Sequence, residues 1–167
     1  MVFTTHRRIE FRDTDAAGIV HFSAFFPMME AAEHELLRSL GLSVMPRALS
    51  GNRETAEDND LQVTWPRVAA SCQYLSAARF EDEVRIEVKV EKIGNTSVQY
   101  IFTFLRDGEK LAQGQITSVC CRLHRGNGLM GSGESGCDGG DGPTENEVRL
   151  EKTPIPTKIR QLLVRYQ

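Results

Sequence analysis

No stretch of these 167 residues stays apolar over the roughly 20 positions that a membrane span requires. The opening residues, Met1-Val2-Phe3-Thr4-Thr5-His6-Arg7-Arg8, hold no apolar run able to act as a signal peptide. A cytoplasmic protein with no membrane partner is therefore expected. Positive charge is not in excess: 20 Lys and Arg against 23 Asp and Glu leave a net charge of −3, without the basic footprint of a nucleic-acid binder. Cysteine is sparse and badly spaced. Cys72, Cys120, Cys121 and Cys137 form no Cys-x-x-Cys pair, and Cys120 and Cys121 would face opposite sides of a strand. Neither a metal site nor a disulfide framework is expected. What remains is 40% apolar and 26% charged, ordinary for one globular domain with a substantial core.

The most informative stretch runs from Asp13 to Gly41. Its first half, Asp13-Thr14-Asp15-Ala16-Ala17-Gly18-Ile19-Val20-His21-Phe22-Ser23, packs carboxylates, small residues and a glycine too tightly to build a core. Its second half reads as an amphipathic helix. Phe25, Met29, Ala32, Leu36 and Leu40 recur at three- and four-residue steps, with Phe26 and Leu37 widening the stripe. Gly41 stands where such a helix stops in a left-handed residue. Pro27 fits only if the helix begins just before it, because first-turn amides have no intrahelical partner to lose. The loop thus brings a carboxylate close to free backbone N–H groups.

Strand patterns occupy most of the remainder. Phe3 to Arg12 reads as a first strand with Ile9 and Phe11 on one face. Leu42 to Asp60 is polar and reads as a surface excursion. From Leu61 to Ser76 the β-favouring residues Val63, Trp65, Val68, Cys72 and Tyr74 return, and Pro66 implies a bend or an edge position. Val84, Ile86, Val88 and Val90 alternate with charges, and Gly94-Asn95 makes a turn. Val98, Tyr100, Phe102 and Phe104 alternate again, then Asp107-Gly108 signals a hairpin before a last strand, Leu111 to Leu123. Each strand has one apolar face, and only the Phe25–Leu40 helix is long and apolar enough to cover it. An α+β fold follows, a curled antiparallel sheet wrapped around one helix.

Residues 126 to 147 differ in kind. Eight of the chain's 14 glycines lie there, with almost nothing apolar after Met130. A flexible insertion within a single domain spanning residues 1–167 is expected, since such a segment buries too little surface to offset its ordering entropy. Thr153-Pro154-Ile155-Pro156 then leads into a short helix from about Thr157 to Tyr166, with Ile159, Leu162 and Leu163 apolar.

Ile9-Glu10-Phe11-Arg12-Asp13-Thr14-Asp15-Ala16-Ala17-Gly18-Ile19-Val20, followed by an aromatic-rich helix, resembles the hotdog-fold acyl-CoA thioesterases of the 4-hydroxybenzoyl-CoA thioesterase type. The resemblance continues through Ala70-Ser71-Cys72-Gln73-Tyr74 and Phe80-Glu81-Asp82-Glu83-Val84, and resumes at Pro154-Ile155-Pro156. It implies hydrolysis of an acyl-CoA or aryl-CoA thioester, with no cofactor beyond the coenzyme A of the substrate. Asp15 takes the place of the catalytic carboxylate, as nucleophile or general base. The backbone N–H at Phe22 polarises the thioester carbonyl, and Gly18 lets the backbone approach it. His21 stands at an acyl-pocket position; Phe25 and Glu30 join it in the substrate-binding set. Ile93-Gly94-Asn95 replaces basic residues that contact the nucleotide end of coenzyme A, a role left to Lys92, Arg122 and Arg125 on charge alone. The resemblance also implies sites shared between two protomers, in a homodimer or a homotetramer.

Other readings compete. Asp13 and Asp15 both suit turn or helix caps, and for Asp13 the structural role is preferred. Glu33 is expected in solvent and His34 on the helix surface. A hotdog-fold hydratase would pair Asp15 with His21, but Ile19-Val20 stands where hydratases carry Asn-Pro. A non-catalytic acyl-CoA-binding protein is the third alternative.

Overall fold

A computed structural model describes residues 1–44, 63–125 and 148–167. The glycine-rich segment 126–147, and the polar stretch beyond residue 44, lie outside the described residues. The elements are β1 (Phe3–Arg8), α1 (Phe25–Ser39), β2 (Arg67–Tyr74), β3 (Glu83–Ile93), β4 (Ser97–Arg106), β5 (Glu109–Val119), β6 (Cys121–Arg125), β7 (Val148–Lys152) and α2 (Thr157–Leu163).

Period-two alternation builds the sheet. Val84, Ile86, Val88 and Val90 of β3 are buried, as are Val98, Tyr100, Phe102 and Phe104 of β4, while their neighbours along each strand are not. Each such aromatic or branched side chain contributes roughly 1.5–3 kcal/mol on full burial. Asp107 and Gly108 both take positive φ, 50° and 87°, the geometry of a two-residue hairpin turn between β4 and β5. Five antiparallel strands result, in the order β1-β3-β4-β5-β2. β2 is an edge strand that begins directly after Pro66, in keeping with the edge reading of that proline.

The apolar stripe of α1 lies on this sheet, burying Phe25, Met28, Met29, Ala32, Leu36 and Leu37. The close approach depends on Gly114 of β5, where a Cβ would stand 2.1 Å from Met29 Sδ. Gly41 ends the helix at φ 72°, and its N–H donates to Arg38 O at 2.9 Å while Leu42 N–H donates to Leu37 O at 3.0 Å. At the far end of the chain, Ile155 N–H donates to Asn95 O at 2.9 Å and Arg160 Nη2 to Gly94 O at 2.6 Å. These bonds fasten the C-terminal segment to the β3–β4 turn.

Three sequence expectations change. β1 ends at Arg8 rather than Arg12, so Ile9 (1% exposed) and Phe11 (78%) do not share a face. The chain turns into a 3-10 turn at Phe11–Asp13 instead, closed by a reciprocal Glu10–Asp13 capping box. The expected last strand, Leu111 to Leu123, is broken at Cys120. There the Cys120 N–H donates to Thr96 O (2.7 Å) and Cys121 exchanges bonds with Thr64 (2.8 and 2.9 Å). Leu123 therefore belongs to a separate two-stranded sheet, β6–β7. Third, Glu33 is fully buried and not solvated, for reasons given below.

Candidate active site

The loop from Asp13 to Val20 folds back on itself through an isolated Thr14–Val20 bridge. Asp15 caps the turn: its Oδ1 accepts the Ala17 N–H at 2.8 Å, and its carbonyl accepts the Gly18 N–H at 3.0 Å. Gly18 has φ 72°, and nothing lies within 4 Å of where its Cβ would be. Its left-handed backbone, rather than crowding, is what this structure asks of a glycine here. The loop is pinned on its far side, where Val20 N–H donates to Ala78 O at 2.9 Å and Ile19 bridges to Arg79. Asp13 has a structural role, accepting the Glu10 N–H at 2.9 Å.

The helix begins earlier than α1 itself, in a 3-10 turn at Phe22–Ala24 with His21 as N-cap. Phe22 is the first residue of that turn, so its N–H has no intrahelical carbonyl to meet. The positive end of the helix dipole adds to this donor. His21 Nδ1 lies 2.7 Å from Ser23 Oγ and accepts the Ser23 N–H at 3.4 Å.

A cleft of about 390 Å³ is lined by Asp15, Ile19, Phe22, Phe25, Tyr74 and Ala77 among others. The carboxylate, the start of the helix and an aromatic wall thus meet in one place. Phe25 packs against Tyr74 (centroids 5.3 Å apart) and edge-on to Phe104 (5.1 Å). A larger cavity of about 470 Å³, lined by Arg8, Glu10, Arg12, Asp13, His21 and Ser23 among others, does not include Asp15. Its charges are already matched in part, since Arg8 pairs with Glu83 at 2.7 Å and Arg12 with Glu10 at 2.6 Å. The smaller cleft is the candidate site, because it joins Asp15 to Phe22, the residue whose N–H opens the helix.

The remaining sequence candidates fall elsewhere. His21 lines the larger cavity and Asp15 the cleft. Glu30 does not line the cleft; its Oε1 pairs with Arg67 Nη1 at 2.9 Å. Lys92, near the end of β3, and Arg122, on β6, are exposed and line neither cavity, and Arg125 closes β6. Among the described residues, thiols offer no rival nucleophile. Burial pushes the Cys120 thiol up to about 11 and raises that of Cys72, and neither lines the cleft. Among the described residues no group of three or more His, Cys, Asp or Glu side chains could hold a metal ion.

Two features escaped sequence reading. Tyr74 lines the cleft, and its hydroxyl donates to Phe22 O at 3.0 Å across 52 residues of sequence. An aromatic at the end of an edge strand was the available signal. Glu33, expected in solvent, is 0% exposed: Ser118 Oγ donates to it at 2.9 Å and Arg67 Nη2 at 2.8 Å. Arg67 also donates to His34 Nε2 at 2.8 Å, and His34 stands half-buried at the helix surface.

A family model described as "Thioesterase-like superfamily" matches residues 9–163. A 1,4-dihydroxy-2-naphthoyl-CoA hydrolase of Prochlorococcus marinus is 30% identical over 114 residues, 68% of this chain and 74% of that protein. An acyl-CoA thioesterase of Haemophilus influenzae is 22% identical over 116 residues, 70% of this chain and 78% of that protein. Among solved structures, a 1,4-dihydroxy-2-naphthoyl-CoA thioesterase from Synechocystis superposes with TM-score 0.68 at 20% identity, covering 98% of this chain and 96% of its own. The likeness to that structure shows the shared hotdog fold.

Proposed function

Since the chain belongs to the thioesterase-like superfamily, we propose that it hydrolyses an acyl-CoA or aryl-CoA thioester to the free acid and coenzyme A at the Asp15 cleft. In one route the Asp15 carboxylate attacks the thioester carbon, expels the CoA thiolate and forms a mixed anhydride that water then opens. In the other, Asp15 takes a proton from the attacking water. Either route builds negative charge on the carbonyl oxygen, and the Phe22 N–H is the proposed donor to it. Removing one such donor elsewhere lowers kcat by about 10²–10³. The chemistry needs no cofactor, since coenzyme A arrives with the substrate.

The observation that carries this reading is that Asp15 and the first turn of the helix line one cleft. The aromatic wall of Phe22, Phe25 and Tyr74 suits either an aryl or a short aliphatic acyl group. Incubation with a saturated acyl-CoA and with an enoyl-CoA, read for free thiol and for loss of the double bond, tests it. Thiol release without hydration is expected. Hydration without thiol release would move the protein to the hydratases, and binding without either reaction would make it a ligand-binding module.

Assembly follows the same reading. Among the described residues β2 bonds to a neighbour on one side only, and Val68 and Tyr74 along it are 62% and 46% exposed. An open strand edge is normally paired or blocked. A two-fold axis there satisfies both copies at once, so a homodimer is the proposed minimal active unit, with a homotetramer as its further association.

A further inference from the structure

We propose that Tyr74 is a positioning residue of this site: its phenol holds the first turn of the helix so that the Phe22 N–H stays aimed into the cleft, an inference that rests on the thioester-hydrolase reading above. Packing holds Phe22 only in part, because its side chain is 59% exposed and its ring rests against that of His21, centroids 4.3 Å apart. What fixes it is its two flanking peptides. The peptide before it is held through His21 O, which accepts the Ala24 N–H at 2.9 Å. The peptide after it is held through Phe22 O, which accepts the Tyr74 hydroxyl at 3.0 Å. In a trans peptide the N–H points opposite to the carbonyl, so pinning His21 O fixes the direction of the Phe22 N–H. Pinning Phe22 O then prevents the residue from rotating about its own Cα.

The clamp is anchored at its other end. Tyr74 is the last residue of β2, within the ladder to β5, and its ring rests on Phe25, which rests in turn on Phe104. The hydroxyl is therefore carried by the sheet rather than by a loop, which suits a group that must hold a donor within a fraction of an ångström. Desolvation, with a smaller push from Cys72, raises the Tyr74 phenol above its usual value of 10.0, so it keeps its proton and donates throughout the neutral range.

Tyr74→Phe tests this, because it keeps the ring on Phe25 and deletes only the clamp. We expect kcat to fall about tenfold with KM within about twofold of wild type, since the interaction acts in the transition state. Amide exchange at the first turn of the helix should quicken in the same variant. A role confined to stability would lower the melting temperature and leave kcat per folded molecule unchanged; substrate contact by the hydroxyl itself, rather than by the ring that Tyr74→Phe keeps in the pocket wall, would move KM instead. Either result, or unchanged amide exchange, would overturn the inference. Asp15→Asn, assayed in parallel, separates the two levels. If Asp15→Asn abolishes turnover while Tyr74→Phe is unaffected, only the positioning role fails. If Asp15→Asn turns over normally, the hydrolase site and the clamp fail together.

Discussion

Glu33 is a carboxyl group without solvent contact at the middle of the central helix. Burial raises its pKa above the ordinary 4.5, and the opposing pull of Arg67 and the bond from Ser118 do not cancel that effect. Glu30 adds a further small push upward. A carboxyl raised in this way binds its proton more tightly in the folded than in the unfolded chain. Its contribution to stability is therefore fully present below pH 4.5 and is lost as pH rises through the folded value. His34 has the opposite sense, because burial lowers its pKa from 6.5 and stability is lost as pH falls through that region. Comparing wild type with Glu33→Gln subtracts His34, which both proteins keep. Denaturant unfolding at pH 4.5 and at neutral pH should show the wild type losing stability relative to Glu33→Gln as pH rises. Parallel pH curves would contradict the burial argument. The position was partly legible: Glu33 is four residues after Met29 and three before Leu36, on the apolar stripe. Its partners were not, because Arg67 and Ser118 lie 34 and 85 residues away along the chain.

At the scale of elements, the helix and the β3–β4–β5 meander read directly from sequence because periods of 3.6 and 2 are local properties. The Asp13–Val20 loop read equally well as a carboxylate-bearing turn, but which residues share its cleft did not. Leu75, Ala77 and Ala78 reach it only because the segment after β2 returns to bond the loop, as in the Val20–Ala78 hydrogen bond of 2.9 Å. The break between β5 and β6 was hidden for the same reason, since the competing partners Thr64 and Thr96 come from elsewhere in the chain. The packing of α1 on the sheet makes its own prediction. A Cβ at Gly114 would stand 2.1 Å from Met29 Sδ and 3.3 Å from Ser71 O, so Met29 must move and the β2 backbone has little slack. Gly114→Ala should cost about 1–3 kcal/mol in denaturant unfolding, as overpacked cores do. Met29→Ala should cost less in the Gly114→Ala background than in the wild type, because the new methyl fills part of the space the side chain leaves. A fully stable Gly114→Ala protein would show that helix and sheet are not in close contact there.

For the whole molecule, one helix covers one face of the sheet, and the Asp15 cleft opens beside the end of β2, an edge strand among the described residues. The proposed homodimer places a second copy against that edge. Sedimentation from nanomolar to micromolar concentration, run alongside activity, should show turnover following the dimer; a fully active monomer would contradict the shared-site arrangement. No described helix is long and apolar enough to cross a membrane. Hydrolysis at this site depends, in the proposed mechanism, on one carboxylate beside one helix start. Its most direct test is thiol release from an acyl-CoA by wild-type protein and by Asp15→Asn, with melting curves confirming that both are folded. Loss of a nucleophile or base predicts a fall of at least about two orders of magnitude with the fold unchanged. Near-wild-type turnover by a correctly folded Asp15→Asn protein would contradict it.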